Sequence, residues 1–348
     1  MTHLWVRAEQ RENEERVGIT PAGVAELLAA GMRVTVEESA TRILPDAVYA
    51  ETGCEMAPEN SWPDAPADAI IFGLKELPDD GTPLPHRHIM FGHAFKGQFA
   101  GQALLKRFMV GGGTLLDIEY LVDPDGRRVA AFGYWAGYAG AAVSLKAWAA
   151  QSGGATCPPV STWRDKDALL AELAADMSGR APSAIVIGAL GRVGTGAADL
   201  CEAMGISPTR WDMAETQSGG PFPEILEHDL FFNCILARPG TPQFVPLSAV
   251  EATRKLCVVG DIACDPDSDY NPIPIYDAAT TWAEPVTRVA TDPVLDVMAI
   301  DNLPSLLPKE SSLDFAAQLL PSLKALDKLD AGVWARARAT FVAHVKEV

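Results

Sequence analysis

The stretch Ser183-Ala-Ile-Val-Ile-Gly188-Ala-Leu-Gly191-Arg-Val-Gly194-Thr-Gly196 constrains this chain more than any other. An apolar run of strand length passes into glycines, and helical spacing follows. Such a turn lets main-chain N–H groups approach an anion at a helix N-terminus, where the macrodipole favours negative charge. The outline is that of a dinucleotide site. The glycines are spaced G-x-x-G-x-x-G rather than the commoner G-x-G-x-x-G, and glycine turns after strands also serve tight packing alone.

Asp212, in Arg210-Trp-Asp212-Met, strengthens the dinucleotide reading. It stands at the end of the next predicted strand, roughly 20 residues on, where an acid accepts from a ribose 2′-hydroxyl and repels a 2′-phosphate. That placement favours NAD over NADP. Arg192 and Arg210 run against the preference, since either can meet a phosphate, and a solvated loop acid is the plainer account of Asp212.

The βα alternation extends well beyond this turn. Strands are expected at His3 to Glu9, Met32 to Glu37, Asp68 to Leu74, His88 to Gly92 and Thr114 to Glu119. Thr20-Pro21 starts a helix that Gly31 ends, and Gln98 to Val110 is amphipathic. From about Ala181 the pattern restarts, with strands Ser183 to Gly188, Arg210 to Asp212, Asp229 to Leu236, Leu256 to Ile262 and Val294 to Ile300. This predicts an α/β protein of two Rossmann-like, doubly wound domains with a cleft between them. At 348 residues the chain exceeds what one core usually serves, and two domains of about 150 residues each are expected. The boundaries are drawn at 1–132 plus 308–348 for a substrate domain and 133–307 for the dinucleotide domain. Helices at Leu313 to Leu320 and Val333 to Val345 are expected to pack back onto the first domain. The alanine- and glycine-rich Tyr134 to Gln151 is expected to be a helix bridging the two, and Cys157-Pro-Pro a surface loop.

Composition bounds the partners. A formal charge of −18 repels nucleic acid and anionic membranes, and no apolar run approaches the roughly 18 residues that span a bilayer. Six scattered cysteines without C-x-x-C or metal-ligand spacing point to reduced thiols and no metal, in a soluble cytoplasmic protein. Monomer and dimer both stay open.

In an open parallel sheet, functional groups gather at the carboxyl ends of strands. Lys75, His93 and Glu119 each sit at the carboxyl end of a predicted strand. A lysine sharing a site with another cation has a depressed pKa, so Lys75 and His93 can divide proton transfer near neutrality, restrained by Glu76 or Glu119. Taken singly, each residue is more often an ordinary surface or capping group. Arg16, Lys96, Arg127 and Arg128 supply positive charge in an acidic chain, suited to a small polycarboxylate; exposed salt bridges are the plain alternative. His86 and His88 read as a polar loop without a role.

Taken together, Arg7-Ala-Glu9, Glu15-Arg16, Gly73-Leu-Lys75-Glu76-Leu-Pro78, His93-Ala-Phe-Lys96, Gly126-Arg-Arg-Val-Ala-Ala-Phe-Gly133, Ile187-Gly-Ala-Leu-Gly-Arg192, Gly219-Gly-Pro-Phe222, Asn271-Pro-Ile-Pro-Ile-Tyr276 and Asp301-Asn-Leu-Pro-Ser-Leu-Leu-Pro308 strongly resemble the NAD-dependent, lysine-forming saccharopine dehydrogenases. These belong with alanine dehydrogenase and the nucleotide-binding part of transhydrogenase. The resemblance implies oxidation of saccharopine by NAD to lysine and 2-oxoglutarate. It makes Lys75 the base for the secondary amine, His93 the group that activates water, and Glu76 and Glu119 acids tuning that pair. Arg16, Lys96, Arg127 and Arg128 match the carboxylate-binding region and Phe132 its wall. Gly188, Leu190, Gly191, Arg192, Val193, Gly194, Asp212 and Asp301 match the cofactor contacts. Fungal members carry cysteine where Val193 stands, paired with one at the position of Cys234, so that disulfide cannot form here. Two rival readings are an alanine dehydrogenase-like or other opine or amino-acid oxidoreductase, and a non-catalytic NAD(H) sensor.

Overall fold

Thr20 accepts the N–H of Gly23 at 3.1 Å and Pro21 opens the helix Pro21–Ala29, as the N-cap signal predicts. The computed structural model describes residues 1–96 and 99–346; Gln98, where the amphipathic stretch was expected to begin, lies outside the described residues, and the helix there is Phe99–Gly111. The chain divides into two units, Met1–Ala131 with Pro308–Val348, and Phe132–Leu307.

The first unit holds a sheet of β1 (His3–Val6), β2 (Arg33–Glu37), β3 (Glu55–Ala57), β4 (Ile70–Phe72), β5 (Arg87–Met90) and β6 (Thr114–Asp117). Its order is β3-β2-β1-β4-β5-β6 and every pairing is parallel. The order reverses between β1 and β4, the position at which a doubly wound sheet places its ligands. Trp5, Ile71, Met90 and Leu115 of this sheet pack with Phe108 and Phe341, the last two from the helices Phe99–Gly111 and Gly332–His344. The C-terminal helix thus covers this sheet, as expected.

The second unit adds β7 (Ala184–Ile187), β8 (Thr209–Trp211), β9 (Leu230–Asn233), β10 (Val258–Asp261), β11 (Thr287–Thr291) and β12 (Val294–Met298). The order is β11-β12-β10-β9-β7-β8, parallel except for the antiparallel edge pair β11–β12. Successive residues serve opposite cores: Ala184 and Val186 face one cluster, Ile185 and Ile187 the other. Both faces are therefore covered, as a parallel sheet requires.

Several local expectations change. The helix Gly133–Gln151, expected to bridge domains, belongs to the second unit. It lies against the helix Arg192–Ala203 so closely that a Cβ on Gly137 would stand 1.8 Å from the Val193 carbonyl oxygen. Phe132 also falls in that unit. His86 and His88 are not a polar loop: β5 carries His88 inward, and the two are 3% and 1% exposed. Cys157 is buried, while the two prolines after it are exposed. The helix Lys166–Met177, capped by Asp165, and the strands β3 and β11 were not anticipated.

Candidate active site

Three loops at the carboxyl edge of the first sheet carry the proton-transfer candidates. Past β4, the Gly73 N–H donates to the Ile89 carbonyl at 3.0 Å and the Leu74 carbonyl accepts from Phe91 at 2.9 Å. These bonds hold the Lys75 loop to the loop that bears His93. His93 takes a left-handed φ of 47°, stacks on Phe91, and sets Nδ1 3.9 Å from Glu119 Oε2. Histidine is among the few non-glycine residues that tolerate this backbone region. The expected strand to Glu119 stops at Asp117, because the Asp117 carboxylate accepts the Glu119 N–H and turns the chain into a short 3₁₀ helix, Ile118–Tyr120. Lys96 Nζ donates to Glu119 Oε1 at 3.2 Å.

Lys75 and His93 lie within electrostatic reach of each other and both of Glu76. Burial, then the Arg16 guanidinium, hold the Lys75 ammonium below the usual lysine range, opposed by Glu14. Burial also lowers His93; Glu76 and Glu119 pull it back up, while Lys75 and Lys96 lower it further. Near neutral pH this leaves an imidazole able to accept a proton beside an amine easier to deprotonate than a free one.

Arg16 sits on a separate loop from Arg127 and Arg128. Arg16 is buried, and Glu14 takes its Nε at 2.7 Å and Nη2 at 2.6 Å. Expected to meet a substrate carboxylate, it has two donors of its fork already engaged by a protein carboxylate. Arg127 and Arg128 are exposed on a turn where Asp123 accepts the Arg127 N–H at 2.8 Å. Sequence reasoning missed Glu14 and Asp117 altogether, and quoted Arg7 and Glu9 without a role. Arg7 and Glu9 carried a signal: a charged pair at the end of the strand expected over His3 to Glu9, which in the structure stops at Val6.

In the second unit, Gly188 ends β7 with φ of 88°, and a Cβ on Gly194 would stand 2.1 Å from the Gly188 carbonyl oxygen. Glycine is therefore required at both positions for the turn to fold this tightly. Gly191 is the N-cap of the helix Arg192–Ala203 and brings no side-chain acceptor to its first turn. That first turn is oriented as an anion cradle, and Leu190, Gly191 and Arg192 around it are exposed, with Val193 half-buried. Asp212 Oδ2 accepts the Leu190 N–H at 3.0 Å while Oδ1 accepts from Met213 at 2.9 Å, so the acid also caps a short helix. The cradle and its acid fit a dinucleotide. Asp301 lies apart from the glycine turn in sequence, exposed after β12. Arg210 is paired with Glu202 at 2.6 Å. Among the described residues all six cysteines are free, no cluster suits a metal ion, and no helix is long and apolar enough to cross a membrane.

Residues 5–139 match the family model described as alanine dehydrogenase/PNT, N-terminal domain. A solved L-alanine dehydrogenase superposes with a TM-score of 0.69 at 18% identity, covering 98% of this chain and 94% of that one, which shows a shared fold. The saccharopine dehydrogenase [NAD(+), L-lysine-forming] of Yarrowia lipolytica is 43% identical, covering 99% of this chain and 98% of its own. That of Schizosaccharomyces pombe is 44% identical, covering 99% of both. At that identity over the whole length, this chain belongs to the NAD+-dependent, L-lysine-forming saccharopine dehydrogenase family.

Proposed function

We propose that this chain is an oxidoreductase that converts saccharopine to L-lysine and 2-oxoglutarate with NAD+, by hydride removal at a secondary amine followed by hydrolysis of the imine. The observation that carries the reading is the joining of the Lys75 and His93 loops at the carboxyl ends of the paired strands β4 and β5, where the Phe91 N–H donates to the Leu74 carbonyl at 2.9 Å and His93 faces Glu119 at 3.9 Å. Bound NAD+ supplies the hydride acceptor. The glycine turn from Gly188 to Gly194 and Asp212 hold it, with Asp301 assigned to the same role.

Lys75 takes the proton of the secondary ammonium, freeing the nitrogen lone pair that drives hydride from the glutaryl α-carbon. Its lowered pKa raises the fraction of neutral amine available for that step. His93, neutral near pH 7, removes a proton from the water that attacks the imine carbon, returns it to the lysine nitrogen, and then takes the hydroxyl proton as the carbinolamine collapses to the keto acid and the amine leaves. Glu76 and Glu119 stabilise the imidazolium that forms between these steps. Lys96, Arg127 and Arg128, all exposed, are assigned to the substrate carboxylates together with the charge of Arg16.

The test mixes the purified chain with saccharopine and NAD+ and follows reduced-nicotinamide absorbance. Turnover with saccharopine and none with alanine supports the reading. Turnover of alanine alone moves the chain to the amino-acid dehydrogenase reading, and NADH binding without turnover of either moves it to a sensor.

A further inference from the structure

One buried ion pair holds the Lys75 peptide from both sides. Glu9 accepts the backbone N–H of Leu74 through Oε1 at 2.5 Å and that of Lys75 through Oε2 at 3.0 Å. Arg7, 2% exposed, donates from Nη2 to the Lys75 carbonyl and from Nη1 to the Ala8 carbonyl at 3.1 Å. The two side chains meet at 3.5 Å. Both follow β1, the strand beside β4, whose main-chain ladder ends where the Arg7 N–H meets the Phe72 carbonyl at 2.9 Å. Beyond that point side chains continue the pairing that backbone can no longer make.

Gly73 is what lets the guanidinium through: a Cβ there would stand 2.4 Å from Arg7 Nε and 2.5 Å from Cζ. An ion pair so deeply buried is a poor source of stability, because desolvation offsets most of the attraction. A neutral turn would close this loop as well. What the charged pair adds is a fixed peptide at one residue.

We propose that Arg7 and Glu9 are positioning residues for Lys75, gripping its peptide so that the ammonium stays half-buried among Glu14, Arg16, Arg11, Glu76 and His93. The inference rests on the assignment of proton transfer to Lys75.

The test compares the full-length enzyme with Glu9→Gln, Arg7→Lys and Gly73→Ala, using Lys75→Met as reference. In each variant a loosened loop releases the ammonium toward solvent. We expect kcat with saccharopine to fall about tenfold, KM for NAD+ to change less than twofold, and the limb of the pH profile that reports Lys75 to move to higher pH. NMR of ¹³C-methylated lysines reports the same upward movement without turnover, with the Lys75 signal identified by its loss in Lys75→Met. Gly73→Ala displaces only the guanidinium and serves if Glu9→Gln does not fold. Folded variants with the wild-type pH profile and Lys75 titration overturn the proposal. Full activity of Lys75→Met overturns the proton-transfer assignment instead, and the NMR titration then still decides the clamp.

Discussion

Oδ1 of Asp117 accepts the backbone N–H of Glu119 at 2.9 Å, while its other oxygen accepts that of Gly92 at 3.2 Å. One fully buried carboxylate thus ties the end of β6 to the end of β5, where Glu119 and His93 project. Burial pushes it up to about 6, above its ordinary 3.8. The folded pKa is the higher one, so the stability Asp117 contributes is full below pH 3.8 and lost as pH rises through about 6. Asp117→Asn leaves one acceptor oxygen for two N–H groups, an omission worth about 1–3 kcal/mol. We expect the variant to lose that stability slope, measured by thermal unfolding across the window, and to lose several-fold in kcat. A wild-type carboxyl signal titrating near 4 in ¹³C NMR contradicts the assignment.

Lys75→Met and His93→Asn are expected to lower kcat by about 10²–10⁴, the usual span for a general acid or base. Asparagine shares histidine's tolerance of the left-handed backbone at position 93, so the fold is kept. Circular dichroism checks the fold and nicotinamide absorbance the rate. Wild-type rates remove the residue from the mechanism.

Gly194→Ala places a methyl against the Gly188 carbonyl, a backbone atom that cannot swing aside. We expect a loss of about 1–3 kcal/mol in stability and at least tenfold weaker NADH binding by fluorescence titration. Leu190→Ala, at an 84% exposed position, is the control and should unfold at the wild-type temperature.

Asp212→Ser removes a carboxylate beside the glycine turn, and Glu202→Ala then frees Arg210 from its ion pair. The expected result is a stepwise fall in the ratio of kcat/KM for NAD+ over NADP+, about tenfold at the first step. An unchanged ratio places the ribose-reading group elsewhere.

His88 is 1% exposed between Trp62 and Phe108, and neither ring nitrogen has a hydrogen-bond partner among the described residues. Burial holds its pKa well below 6.5, so the fold must keep it neutral. Its contribution to stability is present above pH 6.5 and lost as pH falls through the folded value. His88→Phe, matched in shape, is expected to be flatter than wild type in unfolding temperature between pH 7 and 5; parallel curves refute this.

Signals confined to a few residues determined much of this protein. The Thr20-Pro21 cap, the apolar run ending at Gly188 and the spacing of Gly191 and Gly194 each encode their geometry locally, through capping bonds, alternation and the absence of a Cβ. The Lys166–Met177 helix was legible in the same way: Asp165 caps it, and Leu169, Leu173 and Met177 repeat every fourth residue. Only the tertiary structure decided that His88 would turn inward, and that Arg7 and Glu9 would grip a peptide over sixty residues away. Those outcomes depend on which strands lie side by side. Strand order is set by burial summed over a whole sheet, and no window along the chain contains it.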